Sequence, residues 1–146
     1  MVRFFLSLIP SRTTAQQAKI TVKGGKPRKY MPEALKDVKA LYMAYLSQHI
    51  PQQPLEGPLY LRVDWYFSTK SKKQDKLWKD TTPDTDNLNK LFKDCMTECG
   101  YWKDDSQVVY EVITKSWSYD RPGISVMIQE IGPYIGTGKE TADQQK

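Results

Sequence analysis

Hydrophobic residues recur at two different periods along this chain, and the period separates predicted strands from predicted helices. The clearest strand pattern lies at 58–68, where every second residue is a large apolar one. Residues 2–9 form a nearly continuous apolar run, which predicts a strand that is buried on both faces. Five segments in all have strand patterns: 2–9, 19–23, 58–68, 108–117 and 123–131. Between the second of these and the first helix, 26–30 is expected to be a basic loop.

Two segments have the period of an amphipathic helix. The first begins near Pro32 and ends before Pro51, and its expected apolar face consists of Leu35, Val38, Leu41, Tyr42, Tyr45, Leu46 and His49. The second is capped by Asp86 or Asn87 and closed by Gly100. Its apolar stripe consists of Leu88, Leu91, Phe92, Cys95, Met96 and Cys99.

The order of these elements is β-(β)-α-β-α-β-β. This order predicts an α/β (α+β) two-layer domain in which two main helices flank a mixed sheet. The chain has 146 residues and 16.9 kDa, a size that suits one domain, and we assign that domain to 1–132. The remaining segment, 133–146, has no apolar periodicity and is expected to be a disordered tail.

Positive charge is concentrated in two short segments. The net charge is +5, and segment 19–29 has five basic residues and no acid, while 70–79 has five basic residues and one acid. Clustered charge of this kind suits a phosphate backbone, although two solvated surface loops would have the same composition. The residues expected to contact nucleic acid are Lys26, Arg28, Lys29, Lys70, Lys72, Lys73, Lys76 and Lys79.

Cysteine and histidine are too few for several kinds of site. Cys95 and Cys99 both lie on the apolar stripe of the second helix, so we expect buried thiols and a reducing compartment. With one further soft ligand, His49, a zinc site lacks donors. His49 lies in the last turn of the first helix, which favours a dipole-stabilised cation or a packed ring over a catalytic base. The chain has no membrane-spanning run and no convincing signal peptide, which predicts a cytoplasmic protein.

Acidic residues are gathered around the second helix. Asp84 and Asp86 flank Thr85, so in an extended segment both side chains would leave one face of the backbone. Asp104 and Asp105 follow the end of the helix. Two like charges at about 4 Å cost about 1 kcal/mol in water and about 4 kcal/mol at an effective dielectric near 20. A fold that gathers these acids needs a proton, a basic side chain or a cation, and Mg²⁺ prefers such oxygen ligands.

Polar neighbours of the acids extend the candidate site. Lys90 lies one turn beyond Asp86 and could hold a phosphate, and Asp94 is spaced to pair with Lys90 as an ordinary surface ion pair would be. Asn87 is either a helix cap or a group that faces the metal. The spacing does not fit a calcium-binding EF-hand, because the positions of the required glycine and the final glutamate are Asn89 and Cys95.

The motif Asp84-Thr-Asp86-Asn87-Leu88-x-Lys90, followed by Asp94, Gly100, Trp102 and Asp104-Asp105-x-Gln107-Val108, is similar to the RusA family of Holliday-junction resolvases. The resemblance implies that Asp84, Asp86 and Asp105 bind a catalytic metal, Mg²⁺ or Mn²⁺, and that Lys90 supports catalysis. We expect Asn87, Asp94 and Asp104 to support these residues. The resemblance also implies a homodimer that nicks four-way DNA junctions symmetrically, with no small-molecule cofactor and no membrane partner.

One departure from the family pattern and one question of geometry accompany the resemblance. After Arg28 the chain continues with Lys29 and Tyr30, where the resemblance leads us to expect a second Pro-Arg step. The second helix is about 20 Å long, at about 1.5 Å per residue, and the chain after it must run back along this length to bring Asp105 to Asp86. Asp105 therefore either runs back along its own helix or joins the acids of a partner subunit.

The resulting expectation is a metal-dependent endodeoxyribonuclease that resolves Holliday junctions in DNA recombination and repair, encoded by a bacterium or by a phage or prophage. One alternative is a nuclease that cuts branched or flap DNA more broadly. Another is a non-catalytic DNA-binding module in which the acids form a structural metal site.

Overall fold

The computed structural model describes residues 1–11, 19–23, 25–30 and 32–135, and of 19–23 and 26–30 it describes the backbone only. The predicted tail is therefore described only as far as residue 135. The strands are β1 (Val2–Leu6), β2 (Lys19–Lys23), β3 (Lys26–Tyr30), β4 (Leu59–Ser68), β5 (Val108–Ser118) and β6 (Gly123–Glu130). The helices are α1 (Glu33–Leu46) and α2 (Thr85–Cys99), and a 3₁₀ turn covers Asp105–Gln107.

The main sheet has four strands in the order β1-β6-β4-β5. β6 is antiparallel to β1 and to β4, whereas β5 is parallel to β4. The predicted mixed sheet is thus confirmed. The parallel pair requires a crossover between β4 and β5, and the segment that contains α2 and the acidic residues supplies it.

The core lies where the two helices meet one face of β4. The alternating side chains of β4 from Leu59 to Phe67 are buried, as the period of two requires. Trp65 stands at the centre, and its ring contacts Phe92 of α2 at 5.2 Å and Tyr42 of α1 at 6.1 Å between centroids. Removing an aromatic side chain such as that of Phe92 would cost about 3–5 kcal/mol. This core fixes α2 against the sheet.

The segment 26–30 is a strand, so the prediction of a loop was wrong. β2 and β3 form a separate antiparallel hairpin in which Lys19 faces Tyr30 and Lys23 faces Lys26. Gly25 lies between them with a φ of 76°, a left-handed conformation that glycine adopts at little cost. The backbone ladder decides the structure here, although the composition is that of a solvated loop.

Other element boundaries also differ from the predicted ones. β1 ends at Leu6, and only Phe4 and Leu6 are buried in it, so the strand is not covered on both faces. α1 ends at Leu46 and does not reach Pro51, and Leu41 is 51% exposed because the buried stripe is narrower than predicted. His49 stacks on Phe4 with 4.7 Å between ring centroids, which confirms the packed ring.

The predicted end of α2 is confirmed, the prediction for its cysteines holds in part, and its predicted start was wrong. Gly100 ends the helix with a φ of 90°, in the left-handed conformation expected of a C-terminal glycine. Cys95 and Cys99 are free thiols, but only Cys95 is buried, and Cys99 is half-buried. The helix begins at Thr85, however, so Asp84 is the residue at its N-cap and Asp86 lies within its first turn. Among the residues described, no helix is both long and apolar enough to cross a membrane.

Candidate nuclease site

A cavity of about 420 Å³ lies between α2, the 3₁₀ turn and β5. Its walls contain four acidic side chains and two lysines, so it is an acidic depression in a basic protein. The lining residues are Asp86, Asn87, Asn89, Lys90, Lys93, Asp94, Asp105, Glu111 and Ile113. Five of the residues that the sequence pattern singled out are therefore brought together here.

Asp86 and Asp105 line this cavity from one and the same chain. After Gly100 the chain turns back, and Asp105 begins the 3₁₀ turn beside the middle of α2. The short return brings Asp105 near Asp94, whose carboxyl group responds to its charge. This geometry favours the first of the two expected arrangements, in which Asp105 serves its own subunit.

Asp104 orients this turn. Its carboxylate accepts a hydrogen bond of 2.8 Å from the backbone N–H of Ser106, and the side chain of Gln107 reaches back to the backbone N–H of Asp104. The two bonds form a capping box, which satisfies two backbone N–H groups at the start of the turn. The bond from Ser106 also lowers the pKa of Asp104. Asp104 therefore holds in place the segment that carries Asp105.

Asp84 does not line the cavity. It has extended backbone angles at the N-cap of α2, and its carboxylate makes no capping bond to the helix. The expectation that Asp84 and Asp86 share one extended face was wrong, because the helix begins between them and turns by about 100° per residue. Asp84 is connected to the cavity through Asn87, whose Nδ2 lies 3.5 Å from Asp84 Oδ2. This contact supports the role expected of Asn87 as a neighbour of the acids.

The donor set suits a hard cation in an open site rather than in a closed cage. Carboxylate and amide oxygens are the ligands that Mg²⁺ prefers, and it commonly uses one or two carboxylates with water and phosphate oxygens. Asp86 and Asp105 could provide two such ligands. Over the described part of the chain, no three acidic, histidine or cysteine residues converge closely enough to enclose a metal. The residues thus fit an ion that substrate oxygens would help to hold.

Ionisation of the Asp94 carboxyl group is less favourable than ionisation of an exposed aspartate. Partial burial raises its pKa, and the nearby charge of Asp105 raises it further, while Lys90 acts in the opposite direction. Within the described residues no ion pair joins Lys90 to Asp94, so the expected surface pair does not form. Such a pair would contribute only about 0.3–0.5 kcal/mol, too little to order a long exposed side chain. Lys90 remains exposed at the cavity wall.

Three cavity residues that the sequence pattern did not single out form one hydrogen-bonded network with the core. Trp65 donates from Nε1 to Asn89 Oδ1 at 2.8 Å, and Asn89 donates from Nδ2 to Glu111 at 2.9 Å. Lys93 donates to the other oxygen of Glu111 at 3.1 Å. An indole N–H can only donate, so it fixes the orientation of the Asn89 amide. Helical spacing from Asp86 and Lys90 could have indicated Asn89 and Lys93, but nothing local to β5 indicates Glu111.

Comparison with known proteins identifies the family. Residues 10–129 match the family model described as "Endodeoxyribonuclease RusA". The chain belongs to the RusA endodeoxyribonuclease family. It is 36% identical over 90 residues to the "Crossover junction endodeoxyribonuclease rusA" of Lactococcus phage r1t, an alignment that covers 60% of this chain and 68% of the phage protein. It is also 34% identical over 122 residues to the uncharacterised protein YqaN of Bacillus subtilis (strain 168), over 76% of this chain and 84% of that protein.

Membership of the RusA family confirms the resemblance seen in the sequence. The matched range includes the whole of α2, the 3₁₀ turn and the cavity between them. The motif thus lies within the matched range, and its residues Asp86, Lys90, Asp94 and Asp105 line one depression, whereas Asp84 and Asp104 do not.

The position of Lys79 does not fit the expected contact with DNA. Its side chain is buried, with 3% exposure, and its Nζ donates to Thr81 Oγ1 at 2.6 Å and to the carbonyl of Thr82. The ammonium group also lies 5.1 Å from the ring centroid of Phe67 and 4.9 Å from that of Trp117. The prediction that Lys79 contacts DNA was wrong, because aromatic rings and loop carbonyls surround its charge.

The other lysines of this loop are exposed. Lys70, Lys72, Lys73 and Lys76 all reach solvent, and Trp78 between them and Lys79 is 74% exposed. Lys72 lies over the ring of Tyr119, with Nζ 5.4 Å from the ring centroid. Lys26, Arg28 and Lys29 lie on β3, where only the backbone is described, so their side chains lie outside the described part of the chain.

Proposed function

We propose that this protein is a metal-dependent endodeoxyribonuclease that resolves Holliday junctions by paired, symmetric nicks in DNA recombination and repair. Membership of the RusA family supports nuclease activity, and the name of the phage relative points to crossover junctions. The observation that carries the proposal is the meeting of Asp86, Asp105 and Lys90 in one cavity. The phage and Bacillus relatives fit a protein that acts in a bacterial cytoplasm.

The residues have distinct parts in the proposed reaction. Asp86 and Asp105, together with Asp84 beside the cavity at its contact with Asn87, would hold a divalent cation, Mg²⁺ or Mn²⁺. This ion would lower the pKa of a bound water molecule and stabilise charge on the phosphoryl group. Lys90, exposed at the cavity wall, interacts with the scissile phosphate and stabilises its developing negative charge. Two oxygen ligands already face one cavity, and oxygens of the DNA backbone would complete the coordination.

A homodimer suits the substrate. A four-way junction has near two-fold symmetry, and a dimer with an isologous interface presents two equivalent sites related by a two-fold axis. Paired nicks at symmetric positions then require one complete site in each subunit. The exposed lysines at 70, 72, 73 and 76 would contact the phosphate backbone and provide affinity without sequence information.

The test is cleavage of a synthetic mobile four-way junction, with flap and linear duplex DNA beside it, in Mg²⁺, Mn²⁺ or EDTA. We expect paired symmetric nicks on the junction that require metal. Asp86→Asn and Asp105→Asn should abolish the nicks while the Kd for the junction, measured in EDTA, stays close to that of the wild type. Asp37→Asn, a change of the same kind at an exposed position of α1, should cut normally.

Each other result favours a named alternative. Equal cutting of flaps and junctions would indicate a broader branched-DNA nuclease. Tight junction binding without nicks in either metal would indicate a non-catalytic binding module, and a melting temperature that falls on chelation would then assign the acids a structural ion.

A further inference from the structure

The turn that precedes Asp84 is held by two lysines from different parts of the chain. Lys115 of β5 donates from Nζ to the carbonyl of Thr81 at 2.7 Å and to that of Pro83 at 2.8 Å. Lys79 donates to Thr81 Oγ1 and to the carbonyl of Thr82. Hydrogen bonds from an ammonium group are about twice as strong as neutral ones. All three residues of the turn 81–83 are therefore bound by charged donors.

Both lysines are themselves fixed to the sheet. In the register of β4 and β5, Lys115 is paired with Trp65, the residue at the centre of the core. The backbone N–H of Lys79 donates to the carbonyl of Lys115 at 2.9 Å, and its ammonium group lies over the rings of Phe67 and Trp117, which contact each other. The turn 81–83 thus has a rigid connection to the strands.

Asp84 depends on this turn for its position. An aspartate at a helix N-cap ordinarily accepts a hydrogen bond from a backbone N–H of the first turn, which fixes its side chain. Asp84 makes no such bond, and its one polar side-chain contact described here is the long one to Asn87. The backbone of 81–83 therefore sets where its carboxylate lies, and that carboxylate stays available to a ligand.

We propose that Lys79 and Lys115 are positioning residues that hold Asp84 in place for the divalent cation. The inference rests on the proposed function, since it assigns the cation to Asp84. It adds two residues that lie outside the acidic motif and do not line the cavity. The hydrogen bonds described for both lysines end on the turn 81–83, so we expect them to act on the cation through the position of Asp84.

Two rival roles for Lys79 and Lys115, DNA binding and stabilisation of the fold, would have different measurable consequences. If the ammonium group of Lys115 bound a DNA phosphate, its loss would weaken junction binding and lower the salt dependence of that binding. If the two lysines served only to stabilise the fold, their loss would lower the melting temperature and leave the metal affinity of the folded protein unchanged.

The experiment measures Mn²⁺ binding to the DNA-free protein by electron paramagnetic resonance. Lys115→Met removes the ammonium group and keeps most of the side-chain volume. Loss of a group that orients a metal ligand typically weakens metal binding by about 10–100-fold, and we expect a change of about 10-fold here. Lys115→Arg, which keeps charge and donors, should retain most of the affinity. Lys36→Met, at an exposed position of α1, is the matched control.

A double variant tests whether the effect passes through Asp84. Asp84→Asn should weaken Mn²⁺ binding by itself, and adding Lys115→Met to it should produce no further loss. The Mn²⁺ concentration for half-maximal junction cleavage should rise with Lys115→Met in parallel with the Kd, and excess Mn²⁺ should restore the rate. Lys79→Met should behave in the same way; if it does not fold, Lys115→Met alone decides, because Lys115 is only half-buried.

Three results would overturn the inference. These are unchanged Mn²⁺ affinity in Lys115→Met, a lower salt dependence of junction binding with normal Mn²⁺ affinity, and full additivity with Asp84→Asn. The proposed function fails separately, if the wild-type protein neither binds Mn²⁺ nor nicks a junction. A wild type that does both, together with a Lys115→Met variant that matches it, would refute only the positioning role.

Discussion

Asp86, in the first turn of α2, and Asp105, in the turn that follows the helix, line the same cavity within one chain. The helix separates them in sequence, and the return of the chain after Gly100 brings them together. Because both acids come from one subunit, a proposed dimer would contain two complete sites, and neither site would need acids from the partner.

This arrangement predicts the activity of mixed dimers. We expect that Asp86→Asn and Asp105→Asn subunits, unfolded together and refolded as a mixture, show no more junction cleavage than either variant alone, because every site then lacks one acid. Denaturing gels of a labelled junction in Mn²⁺ provide the measurement. Wild-type subunits mixed with Asp86→Asn serve as the positive control, and nicking at one of the two symmetric positions would show that subunits exchange. Restored cleavage in the doubly mutant mixture would mean that Asp105 acts in the partner's site.

Asn89 connects the core to the wall of the cavity, which predicts an effect on stability. With 1% exposure, it accepts the N–H of Trp65 and donates to Glu111. Asn89→Ala would leave a buried N–H without a partner, and such a loss costs about 1–3 kcal/mol. Urea unfolding should show this decrease in the free energy of unfolding. Asn87→Ala, two positions earlier on the same helix, should change it by no more than about 0.5 kcal/mol.

A second substitution at the same position distinguishes the contributions that the two hydrogen bonds of Asn89 make to stability. Asn89→Asp keeps an acceptor for Trp65 but places a carboxylate against Glu111. It should therefore destabilise the protein at neutral pH and less so in acid, where the repulsion disappears. Equal stability of Asn89→Asp and the wild type at neutral pH would show that the contact with Glu111 contributes nothing.

The parts of the fold that could be predicted from sequence are those where a local pattern and tertiary packing agree. The alternation in β4 and the stripe of α2 from Leu88 to Met96 correspond to the buried faces, and Gly100 ends its helix as expected. Lys26–Tyr30 shows the opposite case. Its composition is that of a loop, and its strand structure comes from pairing with β2, which no local signal predicts.

The same distinction applies to the site. The motif acids could be predicted because the spacing of Asp86, Lys90 and Asp94 follows the helical period. Glu111 could not, because it reaches the cavity through the parallel pairing of β5 with β4. Lys79 was assigned to DNA from its charge alone, and only the packing of Phe67 and Trp117 shows that it faces inward.

The raised pKa of Asp94 predicts how the stability of the protein changes with pH. Burial and the charge of Asp105 raise its pKa in the folded protein, so the folded chain binds this proton more tightly than the unfolded chain does. The contribution of Asp94 to stability therefore falls as pH rises from the ordinary aspartate value of about 3.9 through the folded pKa. Asp94→Asn should gain stability relative to the wild type at about pH 7 and differ little from it near pH 3, where both side chains are neutral.

Urea unfolding of both proteins at the two pH values measures this difference. Asp37→Asn, on the exposed side of α1, is the control and should show a smaller change with pH. A gain that is the same at both pH values would mean that the amide improves packing and that ionisation of Asp94 has no part in it.

The exposed lysines of the 70–76 loop predict the salt dependence of DNA binding. Each phosphate contact that is lost should reduce the slope of log K against log salt concentration by about 0.9. We expect this reduction for Lys72→Ala and for Lys73→Ala, because both side chains are exposed to solvent, and we expect none for Lys36→Ala on α1. Fluorescence anisotropy of a labelled junction in EDTA, over a series of salt concentrations, measures the slope while cleavage is prevented. Unchanged slopes in both loop variants would show that the loop is an ordinary solvated surface, and the positive charge that holds DNA would then have to be sought elsewhere in the chain.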